Sequence, residues 1–219
     1  MLHIIPGYAR GTRENKPLID QMHALRAKAF HDRRGWRVTV KDGREYDAFD
    51  DLDPLYVLVS NGEGRLASSL RLLPTTGPYM MSDVFPEVQG PTGLLRSPFI
   101  WESSRFCADR DVVSDFGHDG INTITRMMLL GGMQELHRNG VTQVVSVYDI
   151  LVERILKRSG LIFERLGPVV KYDEGLKTTS GIFEINDAAI MRMKRLLGRQ
   201  FCDDHGVRKE LVDEGVMLT

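Results

Sequence analysis

The chain has 219 residues and a mass of 24.8 kDa, with 29 Lys and Arg against 30 Asp and Glu. A net charge of −1 and a pI near 6.6 exclude the field of a basic nucleic-acid binder, and 42% hydrophobic with 27% charged residues marks an ordinary soluble globular chain able to bury a sizeable core. The two cysteines, Cys107 and Cys202, stand far apart without a CxxC or Cys/His pairing, which argues against a disulfide scaffold or structural zinc and fits a reducing compartment.

Pro17 followed by Leu18, Met22, Leu25 and Ala29 is an apolar stripe with proline in the first turn. It predicts a helix over about residues 17–31 with Arg26 and Phe30 four apart on a neighbouring face. Residues 35–43 predict a short strand into a turn, and residues 42–53 an acidic loop with six acids, Asp42, Glu45, Asp47, Asp50, Asp51 and Asp53, against Arg44. The runs from Tyr56 and from Arg65 to Leu73 predict an antiparallel pair turned at Asn61 and Gly62. A Gly/Pro-punctuated excursion over 74–98 holds a helical turn around Met80 to Phe85, and residues 99–107 read as a strand bearing Glu102 and Arg105.

Ile121, Ile124, Met128, Gly132 and Leu136 predict a buried helix over about 119–139, ended by Gly140, before a β-branched strand to Tyr148. Asp149 is the expected N-cap of a helix through Ser159, with Leu151, Ile155 and Leu156 inward and Glu153, Arg154, Lys157 and Arg158 outward. Strands near 161–166, 168–172 and 179–185 and a helix over about 186–198 follow. This order implies one α/β domain over residues 1–200, a mixed twisted sheet flanked by helices, with residues 201–219 as a C-terminal tail.

No GxSxG, GxxxxGK[ST], GxGxxG after a strand or HExxH occurs, and the six histidines lack ligand spacing, so neither a metal nor a cofactor is expected. No apolar run approaches the roughly 18 residues that span a bilayer, and the N-terminus lacks the charged and apolar regions of a signal peptide. A cytoplasmic location is the expectation. The chemistry therefore rests on a dispersed set. Asp47 and Asp50 suit a cationic ligand or simply face water, while Phe30 and Trp36 offer aromatic faces to a nucleobase or an onium charge or belong to the core.

Arg26, Phe30, Trp36, Asp47, Asp50, Arg71, Phe85, Glu102 and Arg105 fall in the order and spacing of the signature positions of the acyl-homoserine-lactone synthases, the LuxI-type autoinducer synthases. The stretches around them, including Ser69 to Met80 and Trp101 to Phe106, also resemble that family, over about residues 1–200. The resemblance implies a fold similar to the GCN5-related N-acetyltransferases. It also implies a reaction in which the amine of S-adenosyl-L-methionine, a substrate here, is acylated from a thioester on acyl-carrier protein or on CoA. Ring closure to the lactone then expels 5′-methylthioadenosine, and the product is a quorum-sensing signal.

Against that chemistry Asp47 and Asp50 supply anions for S-adenosylmethionine, Arg26 and Arg105 are carboxylate partners or loop anchors, and Phe30 and Trp36 enclose the adenosyl group or sulfonium. Glu102 is the expected base, with an ion pair to Arg105 as its bland alternative, and Ser103 or backbone amides are the oxyanion donors. The acyl pocket is expected from Met80, Ile100, Trp101, Phe106, Met128, Ser146 and Tyr148, each of which alone would suit plain core. Arg154, Lys157 and Arg158 form a basic patch for the acidic carrier protein or the phosphates of CoA. A generic N-acyltransferase using acyl-CoA and a small amine is the alternative enzyme, disfavoured because no Q/RxxGxG pyrophosphate loop is visible, and a non-enzymatic binding module is the third reading.

Overall fold

The computed structural model describes residues 1–91, 93–172 and 176–205, for 199–205 the backbone only. Strand β1 (Leu2–Pro6) leads into α1 (Lys16–Arg26), whose Pro17 lies in the first turn as expected. The helix then widens into a π segment, Ala27–Asp32, that carries Phe30. Residues 33–39 form no strand. The predicted strand shrinks to β2 (Val40–Lys41), paired with β3 (Arg44–Glu45), because Trp36 and Val38 turn onto the cluster around Phe30. The acidic loop closes as a 3-10 turn over Ala48–Asp51, capped at Asp47.

Strands β4 (Leu55–Ser60) and β5 (Leu66–Pro74) pair antiparallel. Their connection is a loop over 61–65 rather than a two-residue turn, because the Asn61 carboxamide oxygen accepts the N–H groups of Glu63 and Arg65. Next come α2 (Met80–Asp83), β6 (Ile100–Ala108), α3 (Arg110–Val113), α4 (Gly120–Arg138) and β7 (Gln143–Asp149). The chain ends with α5 (Val152–Arg158), β8 (Glu164–Arg165), β9 (Val170–Lys171), β10 (Lys177–Glu184) and α6 (Asp187–His205). Helix α6 overruns its predicted end, so residues 201–205 of the expected tail are helical, and 206–219 lie outside the described residues.

Among the described residues the main sheet runs β1-β4-β5-β6-β7-β10-β8, with β9 also on β10. Every pairing is antiparallel except β6 with β7, which needs a crossover, and α4 supplies it. One face of the sheet carries α4 and α6 over the largest core, from Val57, Leu72 and Ile124 to Met128, Val144 and Met193. On the other face α1 covers a second cluster around Met22, Phe30 and Tyr56, and the 79–100 excursion a third around Tyr79, Met81 and Val145. Helix α4 lies so close to β1 that a Cβ on Gly131 would fall 2.4 Å from Leu2 Cδ2.

Strands β6 and β7 are paired only from Ile100↔Gln143 to Ser103↔Ser146, although both continue further. There they part, opening the sheet. Helix α5 departs from expectation: it starts at Val152, Asp149 instead accepts the Leu151 N–H at 3.0 Å, Leu151 is exposed, and Glu153 is buried.

Candidate active site

A cavity of about 360 Å³ opens where β6 and β7 part. Its walls draw on all three hydrophobic clusters, so it passes through the sheet: Phe30, Trp36 and Val38 come from the second, Phe85, Val147 and Tyr172 from the third, and Phe106, Met128, Leu156 and Phe163 from the first. Arg34, Ser103, Ser104, Arg105, Ser146 and Asp149 add polar groups. Of the predicted acyl-pocket residues, Met80, Phe106, Met128, Ser146 and Tyr148 line this cavity. Ile100 and Trp101 do not, a correction: strand alternation turns Ile100 into the cluster with Tyr79 and Trp101 into the core under α4.

Phe30 and Trp36 stack face to face, with centroids 5.2 Å apart and planes 5° from parallel. The Arg105 guanidinium lies 5.5 Å from the Phe30 centroid and that of Arg34 5.2 Å from Trp36. Arg34 also donates to Asp149 Oδ2 at 3.1 Å, tying the segment after α1 to the end of β7 across the cavity.

Behind this aromatic wall lies a charge cluster that the sequence did not disclose. Arg26 is fully buried and gives Asp50 two parallel bonds at 2.8 and 2.9 Å and Glu45 a third at 2.5 Å. Asp50, also fully buried, further accepts Arg71 at 3.0 Å, the Tyr56 hydroxyl at 2.9 Å and the Asp47 N–H at 3.0 Å. Asp47 binds Arg71 at 2.5 and 3.1 Å and Arg105 at 2.7 Å, and Arg105 reaches Glu45 at 3.1 Å. Three guanidinium groups thus meet three carboxylates, and the cluster is neutral by itself. Burial opposes the Asp50 charge, but the bonds and field of Arg26 overcome it and hold that carboxyl far below its usual range, while the Arg26 pKa is raised.

This corrects the expectation that Asp50 touches a ligand and decides between the two readings of Arg26: neither side chain has exposed surface, each saturates the other, and Arg26 anchors the acidic loop. Asp47 keeps an 18% exposed side chain and Arg105 a 12% exposed one, and of the two only Arg105 lines the cavity. Glu45, which a count of acids cannot separate from its neighbours, joins Arg26 to Arg105. Arg71 links Asp47 to Asp50.

Arg105 reaches this cluster because its backbone is bent. Its φ is +55°, the left-handed region that a residue with a Cβ rarely enters, and Arg105 and Phe106 together face Leu70 in a bulge of the β5–β6 ladder. The bulge sends Arg105 to Glu45 and Asp47 rather than to Glu102. Glu102 does not line the cavity. It is fully buried under the start of α2, where its two oxygens accept the Met80 N–H at 2.8 Å and the Met81 N–H at 2.7 Å. Burial pushes its carboxyl up to about 7, against the two amides, which favour the ionised form.

A profile of the autoinducer synthases matches residues 11–198. The chain belongs to the autoinducer synthase family. An autoinducer synthase of Sinorhizobium fredii, described as a probable acyl-homoserine-lactone synthase, is 39% identical over 154 residues, 70% of this chain and 74% of that one. The acyl-homoserine-lactone synthase of Aeromonas hydrophila is 31% identical over 196 residues, 89% of this chain and 92% of its own. Among solved autoinducer synthases, LasI superposes with a TM-score of 0.73 at 31% identity, over 88% of this chain and 93% of that one. BjaI, a CoA-dependent acyl-homoserine lactone synthase solved with SAM and isopentyl-CoA, superposes at 0.78 with 28% identity, over 90% and 89%. A protein of Lactobacillus plantarum described as a candidate N-acetyltransferase superposes at 0.56 with 15% identity, over 84% and 99%, and shares the fold.

The basic patch of this synthase is exposed on α5: Arg154 and Arg158 face solvent, and Lys157 lies 3.6 Å from Glu153. No helix among the described residues is long and apolar enough to cross a membrane.

Proposed function

We propose that the chain makes an acyl-homoserine lactone from S-adenosyl-L-methionine and an acyl thioester, releasing 5′-methylthioadenosine. One observation carries this reading. The cavity lining has two chemically distinct parts, an aromatic and guanidinium one at Phe30, Trp36 and Arg105 and an apolar one at Phe106, Met128, Leu156 and Phe163, drawn from different hydrophobic clusters, and Ser103 and Ser104 line the same cavity.

The adenosyl group lies beside the Phe30 and Trp36 rings, whose faces are already taken by each other and by the Arg105 and Arg34 guanidinium groups. Arg105 takes the methionine carboxylate, and Arg26, Asp50 and Glu45 hold Arg105 and Asp47 in place. The amine attacks the thioester carbonyl; its proton goes to Glu102, the buried carboxyl with a pKa of about 7 beneath Met80 of the cavity wall, and the transfer needs a water between the two because Glu102 itself does not line the cavity. Ser103 or the amides of the bulge bind the oxyanion, and the thiolate leaves with the electron pair of the C–S bond. The carboxylate then attacks the γ-carbon. The second C–S bond breaks, and its electrons neutralise the sulfonium as methylthioadenosine departs.

The acyl group arrives on acyl-carrier protein or CoA, which Arg154, Lys157 and Arg158 receive. The reaction belongs in the cytoplasm, in keeping with Cys107, an unpaired thiol buried against Ser69. Incubation with S-adenosylmethionine and a panel of acyl-carrier-protein and acyl-CoA thioesters should yield methylthioadenosine and one acyl-homoserine lactone by mass spectrometry. An acylated amine without lactone would point to a simple N-acyltransferase, and neither product across the panel would refute the reading.

A further inference from the structure

We propose that the Tyr148 ring is the wall that sets acyl size in the cavity, and that Glu153, Arg165 and Gly181 are positioning residues that fix where this wall stands. The inference rests on the apolar part of the cavity receiving the acyl group. Tyr148, the penultimate residue of β7, lines the cavity, is 8% exposed, and packs edge-on against Phe163 with centroids 6.0 Å apart.

Two independent restraints hold the ring. Its hydroxyl donates to Glu153 Oε1 at 3.3 Å, and that carboxylate, 6% exposed on a short helix whose neighbours Arg154 and Lys157 face solvent, is clamped by Arg165 at 2.5 and 2.9 Å. Arg165 stands on β8 directly opposite Gly181 of β10. Gly181 is the second restraint. A Cβ there would lie 2.8 Å from the Tyr148 hydroxyl oxygen, 3.0 Å from the Glu164 carbonyl oxygen of β8 and 3.2 Å from the Tyr148 Cε1, so the ring and β8 both come this close to β10 only because position 181 has no side chain. Position 181 has no need of glycine for a left-handed backbone, which makes the close approach of the ring and of the β8 backbone its physical reason.

A phenol fixed at its outer end cannot swing aside for a longer chain. The expected substrate is therefore an acyl group that ends against this ring, with each methylene of misfit penalised about 10-fold or more.

The test measures kcat/KM for lactone formation across a graded series of straight-chain acyl thioesters on one carrier, so that docking effects cancel, together with calorimetric affinities of the corresponding acyl-CoA compounds. Tyr148→Ala should move the optimum to longer chains, raising the relative kcat/KM of a chain two methylenes beyond the wild-type optimum about 10-fold or more. Gly181→Ala, which lifts the ring off β10, should move it to shorter ones. Tyr148→Phe and Glu153→Ala should each flatten the profile several-fold, and the double variant no further than either, because both remove the same bond.

An optimum unmoved in Tyr148→Ala overturns the wall, and profiles of Tyr148→Phe and Glu153→Ala superimposable on wild type overturn the anchor. If Glu153→Ala does not fold, Tyr148→Phe reads the same bond from the other side. Lactone formed with an unmoved profile sinks this inference alone. If the wild type forms no lactone at all, the functional reading fails and the calorimetric series still decides on the wall.

Discussion

Asp50→Asn tests the physical role of the charge cluster with the smallest possible change in shape. The wild-type carboxylate accepts five hydrogen bonds, two from Arg26 and one each from Arg71, Tyr56 and the Asp47 amide. The amide nitrogen of Asn would face donors whichever way it is turned: Arg26, Arg71 and Tyr56 at one position, Arg26 and the Asp47 N–H at the other. The cluster would also pass from neutral to a net positive charge around a guanidinium with no exposed surface.

Removing one partner of a buried ion pair costs about 3–5 kcal/mol. For a chain of this size each kcal/mol lowers Tm by roughly 2–4 °C, so a fall of about 6–20 °C is expected by circular dichroism at neutral pH. The pH dependence has a definite sign. The folded-state pKa of Asp50 lies below its ordinary 3.8, so its stabilisation is complete above that value and is lost on acidification. The gap between wild type and variant should therefore close as pH drops below about 4. Asp51→Asn, one residue away with a 64% exposed side chain, should change stability by about 0.5 kcal/mol or less. A Tm for Asp50→Asn within about 2 °C of wild type would show that the cluster is not the energetic unit its geometry suggests.

Glu102→Gln should lower kcat about 100-fold or more with a smaller change in KM for S-adenosylmethionine. In the wild type kcat/KM should rise with pH around a midpoint near 7, as the carboxyl ionises, and the variant should lose that limb; a retained limb assigns the base elsewhere. Trp36→Ala removes one of two stacked rings and should weaken S-adenosylmethionine binding about 3- to 30-fold by calorimetry; unchanged affinity would place the adenosyl group away from the aromatic wall. Reversing the exposed Arg154 and Arg158 to Glu should raise the apparent KM for an acyl-carrier-protein donor several-fold, and equal rates in both proteins would show that the α5 patch does not receive the carrier.

The long periodic elements were legible because burial itself wrote their pattern. The stripe from Ile121 to Leu136 exists to fill the space over Val57 and Leu72, so its spacing announced α4, and β4, β5 and β7 were legible for the same reason. Residues 35–39 and α5 were misread because their polar and apolar side chains serve particular partners rather than a uniform face. Glu153 looks like a surface residue in a basic helix, and only the arrival of Tyr148 from β7 and Arg165 from β8, the strands on either side of α5 in the chain, makes its burial favourable.

The acidic loop shows why composition could point to the right segment and still mistake its role. Charge counting found the excess of acids over 42–53, but their counter-charges are Arg26, Arg71 and Arg105, on three elements that meet only in the folded chain. With Glu45, Asp47 and Asp50 answered by those arginines, little net charge faces the cavity from this side. The acids then act one step back: they hold Arg105, at its strained left-handed backbone, against the aromatic wall. It follows that Asp47, partly exposed and bonded directly to Arg105, should couple to substrate affinity, while the sealed Asp50 should show itself first in stability.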